Sequence, residues 1–343
     1  MHDILDKKNI TSANYIISDY LGIKKNEDLD LDNVISADLH FLGKHKLIPI
    51  WFDLIKKYGE VKKLTRQTYY MLSSYLTYMR NQQETKLQEI QNIGKQFDQN
   101  NLPYAIRKGH ALSSLYKDKI HRNYNDIDLL INNSQLEKYL DILYSQGYIE
   151  GIYDYSKQEI IKYSRFDLIK YQLSPDHHPH LIKLIDDIPV AIDLAYTSCW
   201  HTHPEAKTFH INNSDTEIID GVRCLSGKSL YYDTMFHLYR ESRFLSSLEG
   251  RSPFLLSYID LMLLKNSHSG LIQSTFKENE ALEKDISVIL SDDIDNILNY
   301  KVKLADIKNN TFFNLFLYTA KSSKKEAKKM IEDVRKENLK NRK

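Results

Sequence analysis

Two neighbouring stretches decide the fold: Leu102-Pro103-Tyr104-Ala105-Ile106-Arg107-Lys108-Gly109-His110-Ala111-Leu112, and then Asn125-Asp126-Ile127-Asp128-Leu129-Leu130-Ile131. Residues 102–107 predict a short strand that runs into Lys108-Gly109-His110, and residues 111–117 a helix. Residues 127–131 predict a second strand, bounded by Asn125-Asp126 before it and Asn132-Asn133 after it. Ser134 is placed to cap a helix over 135–146, and Gly147 stands where a helix ends in left-handed backbone. Residues 160–173, 181–185 and 189–196 are rich in β-branched and aromatic side chains and predict strands, with shorter candidates at 209–211 and 222–225. The middle third therefore reads as a mixed sheet with helices.

Outward from this centre the period becomes helical. Ile16, Ile17, Tyr20 and Leu21 recur at three- and four-residue steps, as do Trp51, Leu54, Ile55 and Tyr58. Residues 44–58 and 66–99 predict amphipathic helices, the second long, polar and suited to connect one region to the next. After Ser229, helix-length apolar patterns return over 230–244, 254–265 and 312–321. The expected class is α+β, with a central mixed-sheet domain (101–228) between an N-terminal helical region (1–100) and a C-terminal one (229–343).

Composition bounds the rest. In 343 residues, 42% apolar and 27% charged residues give a globular balance, which excludes a disordered chain. The 47 basic and 46 acidic residues nearly cancel, so no overall field draws the molecule to nucleic acid or an anionic membrane. Cys199 and Cys224 cannot build a disulfide framework, residues 1–6 lack the pattern of a secretion signal, and the apolar run at 254–264 is too short for a membrane span. The expectation is a cytoplasmic protein without a membrane partner. Residues 321–343 carry ten basic residues, which suits a solvated helix end and also an RNA-contacting tail.

The chemistry lies in three carboxylates. On a strand, residues i and i+2 project to the same side, so Asp126 and Asp128 aim at one point while Ile127 and Leu129 face the core. Two converging carboxylates repel each other, and a hard divalent cation relieves the repulsion. Asp193, in Ile192-Asp193-Leu194, shares its side of a later strand with the small residues Ala191 and Ala195. A charge there is costly unless it binds a metal or pairs with a Lys or Arg, and both solutions stay open. Gly109 at a strand-to-helix junction lets backbone approach a phosphate, and Lys108 and Arg122 either add positive charge nearby or are simply solvated.

The Asp-x-Asp spacing alone decides little. It recurs at Asp28/Asp30, Asp30/Asp32 and Asp293/Asp295. The run 28–32 begins like a calcium loop but puts Asn33 where glycine belongs and Leu39 where the bidentate glutamate belongs. Asp126/Asp128 differs in having a glycine turn upstream, an apolar strand attached and a strand carboxylate downstream.

That combination resembles the polymerase-β-like nucleotidyltransferase superfamily. Ala37-x-x-His40, Lys108-Gly109 with Ala111-Leu112, Arg122 before Asn125-Asp126-Ile127-Asp128, and His237-Leu238-Tyr239-Arg240-Glu241 narrow the resemblance to the bacterial NTP transferase family 5. The resemblance implies a metal-dependent transfer of a nucleoside monophosphate from an NTP to an acceptor hydroxyl, releasing pyrophosphate. It implies two Mg²⁺ ions, or Mn²⁺, on Asp126 and Asp128, with Asp193 completing the ligands of the catalytic metal and aiding deprotonation of the acceptor. Gly109 and His110 would cradle the triphosphate, although many superfamily members carry serine where this chain has His110. The acceptor is left open between a small molecule, a peptide and RNA. Rival readings are a tRNA- or RNA-directed toxin, an inactive nucleotide-binding module, and an interaction protein built on its helical flanks.

His177, His178, His180, Cys199, His201 and His203 fall close together, but without Cys-x-x-Cys or His-Glu-x-x-His they read as loops near the site or surface before they read as zinc ligands. His237 and Arg240 share a helix face that meets either the cleft or a neighbouring helix. His40 and His45 read as packing residues.

Overall fold

The computed structural model describes residues 7–23, 31–171, 177–196, 216–240 and 255–267. The strand predicted at 209–211, the helix at 312–321, the basic tail, Cys199, His201, His203 and the acidic pairs at 28/30 and 293/295 lie outside the described residues, as does the side chain of Arg240.

Four helices come first: α1 (Lys7–Leu21), α2 (Leu31–Ile35), α3 (Leu39–Lys44) and α4 (Ile48–Lys57). Asp38 caps α3 by accepting from the His40 amide, and Pro49 stands in the first turn of α4, where its missing N–H costs nothing. The helix expected over 44–58 is thus split, because His45 closes α3 and Lys46 takes positive φ before α4 starts. Helix α5 (Arg66–Gln99) is the long connector, capped by Thr65 through the Thr68 amide. Its polar sequence hides a buried stripe of Leu72, Met79, Lys86, Glu89, Ile90, Ile93 and Phe97.

The sheet follows. Strand β1 (Tyr104–Ile106) leads to the short helix α6 (Gly109–Ser113), and a 3₁₀ turn (Lys119–Arg122) leads to β2 (Asp126–Ile131). After α7 (Leu136–Ser145) come β3 (Ile149–Asp154), β4 (Glu159–Lys162), α8 (Arg165–Tyr171), β5 (Leu181–Ile185), β6 (Ile188–Ala195), β7 (Thr216–Ile219) and β8 (Val222–Leu225). Helices α9 (Gly227–Arg240) and α10 (Leu255–Ser267) close the described chain. The eight strands are ordered β4-β3-β5-β6-β2-β1-β8-β7, parallel at β2/β6 and β1/β8 and antiparallel elsewhere. The fold is α+β around a central mixed sheet.

Two local expectations are corrected. Residues 160–173 do not form one strand, because Ser164 and Asp167 cap each other's backbone N–H groups and start α8. Ser134 does not cap α7. Asn132 accepts from the Ser134 amide and caps a 3₁₀ turn (Asn133–Gln135) that precedes the helix.

One continuous buried cluster joins the N-terminal helices (Ile16, Trp51, Phe52), the strands (Ile106, Ile127, Leu129, Ile192, Leu194) and α10 (Ile259, Leu261). His45 belongs to this packing, its Nδ1 accepting from the Leu255 amide at 3.4 Å. None of the helices among the described residues is long and apolar enough to cross a membrane.

Candidate active site

Parallel pairing of β2 with β6 sets Asp126 opposite Ala191 and Asp128 opposite Asp193. In-register neighbours in a parallel sheet project to the same face about 4.8 Å apart, and Asp126 lies two residues, roughly 6.5 Å, along the strand from Asp128. The three carboxylates therefore share one face, with the small Ala191 beside them. Asp128 and Asp193 are buried, and Asp126 is half-buried.

Each carboxylate is balanced differently. Lys108 Nζ donates to Asp128 Oδ1 at 2.8 Å, and both side chains are buried. His177 Nδ1 lies 3.1 Å from Asp193 Oδ1, and His180 Nε2 lies 4.0 Å from Asp193 Oδ2. Asp126 makes no hydrogen bond or ion pair with any described side chain. Burial, and then the charges of Asp128 and Asp193, push its carboxyl above the usual range, against the pull of Lys108. Burial would raise Asp193 too, but His177, His180 and Lys108 outweigh it and hold that carboxyl well below the usual range.

Among the described residues no group of three or more His, Cys, Asp or Glu side chains is set as a ready-made metal cage. Lys108 and His177 each contact one carboxylate oxygen of the set. The donor set still fits a hard divalent ion, since three carboxylates share one face and Asp126 has no countercharge in contact among the described residues.

The turn before the carboxylates is strained. Lys108 adopts φ 49°, ψ −152°, backbone that glycine otherwise occupies, and Gly109 follows at φ 32°. The Arg107 amide donates to the Asp128 carbonyl at 3.0 Å, and the Arg107 guanidinium pairs with fully buried Asp233 on α9. These contacts pin the turn to β2 and to α9. A Cβ on Gly109 would stand 3.1 Å from the Tyr124 ring, so Gly109→Ala adds crowding to an unfavourable φ. We expect it to lower stability by about 1–2 kcal/mol, measured by urea unfolding. An unchanged midpoint would show that the turn relaxes freely.

The remaining sequence candidates have partners other than the three carboxylates. His110 is buried, but it lines a separate cavity of about 210 Å³ with Arg80, Gln83, Ser113, Lys119 and Tyr124, and none of the three carboxylates lines that cavity. Its Nε2 is 3.5 Å from Asp220, and burial lowers its pKa despite that neighbour. Arg122 is buried too, its Nε donating to Asp260 Oδ1 at 2.7 Å, where Tyr116 also donates at 2.7 Å. Its guanidinium anchors α10 to the approach to Asp126. His178 leans towards Glu150, at 3.7 Å, leaving His177 and His180 as the histidines beside Asp193 among the described residues. Their approach to Asp193 follows from backbone pairing of His177 with Ala195 and of the His178 amide with the Leu194 carbonyl, which a one-dimensional pattern does not show.

No curated protein matches this chain. Among solved structures, it is similar to ANT(2″)-Ia in complex with adenylyl-2″-tobramycin, at 15% identity and TM-score 0.35 over 58% of this chain and 98% of that one. An antigenic nucleotidyltransferase-like protein from Paracoccidioides brasiliensis is similar at 16% identity and TM-score 0.35, over 66% of this chain and 97% of that one. Likenesses this distant carry neither substrate nor mechanism across. The model of a family described as uncharacterised nucleotidyltransferase matches residues 35–267, which include the strained turn and all three aspartates, and the chain therefore belongs to that nucleotidyltransferase family.

Proposed function

We propose that this nucleotidyltransferase moves a nucleoside monophosphate from an NTP to an acceptor hydroxyl in a reaction that needs divalent cations, Mg²⁺ or Mn²⁺, at Asp126, Asp128 and Asp193. The observation that carries the reading is the register of β2 and β6, which sets Asp128 against Asp193 on the face that Asp126 shares. A bond forms between the acceptor oxygen and the α-phosphorus as the bond to the bridging oxygen breaks and pyrophosphate leaves. Bound cations would supply charge neutralisation at the attacking and leaving oxygens.

The residues of the chain do the holding. Asp126 and Asp128 gather positive charge at the end of β2, and Asp193, oriented by His177, would receive the acceptor's proton at a carboxylate oxygen. Gly109, at a φ that a side chain would disfavour, would let the backbone of the turn approach a phosphate, and Lys108, now held by Asp128, would turn its ammonium towards the same group. Arg122 serves by fixing the chain ahead of Asp126, and His110 is assigned no contact with phosphate.

The test is incubation with each α-labelled NTP and Mg²⁺ or Mn²⁺ in the presence of total RNA and a small-molecule extract, with mass spectrometry of the protein, RNA and small-molecule fractions. Label should enter one fraction with stoichiometric pyrophosphate release, and the labelled fraction names the acceptor class. Absence of both label and pyrophosphate with all four NTPs would overturn the proposal.

A further inference from the structure

Helix α5 reaches the entry to the catalytic strand through a charge that the reaction scheme leaves unused. Lys86 is 2% exposed, and its Nζ donates to the Tyr124 carbonyl at 2.9 Å while standing 5.6 Å from the centre of the Tyr124 ring. One helical turn earlier, Gln83 Nε2 donates to the Arg122 carbonyl at 3.1 Å. The approach 122–125 is therefore held at alternate carbonyls by one face of α5. Tyr124 connects both halves of the site. Asp126 follows it by two residues, and its ring packs where a Cβ on Gly109 would fall. Burial brings the Lys86 ammonium down to about 8, although the charge of Asp126 opposes the fall.

We propose that Lys86 is a positioning residue: by holding the Tyr124 carbonyl it fixes Asp126 on one side and the ring that backs Gly109 on the other. A lysine is suited to this place because its long stem crosses the apolar face of α5 and its ammonium satisfies a carbonyl in the interior. The inference rests on the nucleotidyl-transfer reading for its consequence, and on the contacts alone for its mechanics.

Lys86→Met removes the donor and keeps the volume. Hydrogen exchange of amides 123–127 is expected to quicken at least tenfold in this variant, with the amides of β6 unchanged within twofold. Calorimetric titration with Mn²⁺ and the NTP that the wild type binds should show affinity at least tenfold weaker than wild type. In an Asp126→Asn background the same change should weaken binding by a smaller factor, because one of the two elements through which Lys86 acts is already gone. Exchange at 123–127 within twofold of wild type would overturn the inference, and so would equal losses of affinity in the two backgrounds. If the wild type binds none of the four NTPs with Mn²⁺, the functional proposal fails and the exchange measurement alone decides for Lys86. Should Lys86→Met not fold, Lys86→Gln is held to the same criteria. Failure of both to fold would show a packing residue only, and overturn the inference.

Discussion

Asp126→Asn and Asp128→Asn will each reduce nucleotidyl transfer by about 10³-fold, the scale of several kcal/mol of charge stabilisation, while moving stability in opposite directions. Asp126 is a half-buried carboxylate without a contacting partner among the described residues, and burial with the charges of Asp128 and Asp193 disfavours its anion. Replacing it with a neutral isostere removes repulsion from Asp128 and Asp193, so the melting temperature should hold or rise. Asp128 is the acceptor for buried Lys108. Asparagine there leaves the ammonium facing a neutral amide, at a cost of about 1–3 kcal/mol. Urea unfolding beside a transfer assay separates the two. Wild-type turnover in either variant would remove both residues from the mechanism, and a strongly destabilised Asp126→Asn would mean that the carboxylate is structural.

The largest loss of stability is expected from Asp260→Ala. Asp260 lies 2% exposed on α10 and accepts from both Arg122 Nε and Tyr116 Oη at 2.7 Å. Burial raises its pKa even though Arg122 and Tyr116 favour the anion, so the cluster is held together at a desolvation cost. Removing the carboxylate strands a buried guanidinium, and the expected loss is about 3–5 kcal/mol by urea unfolding. Asp118, which pairs with Arg80 at the surface, is the control: Arg80 is 54% exposed, and breaking that pair through Arg80→Ala should cost at most about 1 kcal/mol. Equal effects would mean that the Arg122–Asp260 pair is as weakly coupled to folding as a surface contact. Because Arg122 lies four residues before Asp126, Asp260→Ala should also lower transfer in whatever fraction stays folded.

The parts of the site that follow from spacing were legible before any coordinates. Period two along 126–131 places Asp126 and Asp128 together, and the apolar neighbours of Asp193 mark it as a strand carboxylate. The in-register meeting of Asp128 with Asp193 was not legible, since parallel pairing across more than sixty residues leaves no local trace. The surroundings of Arg122 and His110 were not legible for a related reason. A basic residue near a phosphate motif looks the same in sequence whether it faces the ligand or a buried aspartate such as Asp260. Lys86 was hidden by composition: in a helix with so many Gln, Lys and Glu residues, one buried lysine resembles its solvated neighbours. Residues 160–173 show the reverse failure, where a capping pair at Ser164 and Asp167 overrides an apolar run that suits a strand.

Helix α5 runs without a break from the N-terminal helices to the first strand of the sheet. Tyr69 near its start meets Phe52 of α4 at 6.0 Å between ring centres, and Phe97 near its end meets Tyr104 of β1 at 5.4 Å. Those two points are about 42 Å apart along one rod. Because α5 runs unbroken between those two contacts, a proline placed in its middle would loosen both anchorages at once.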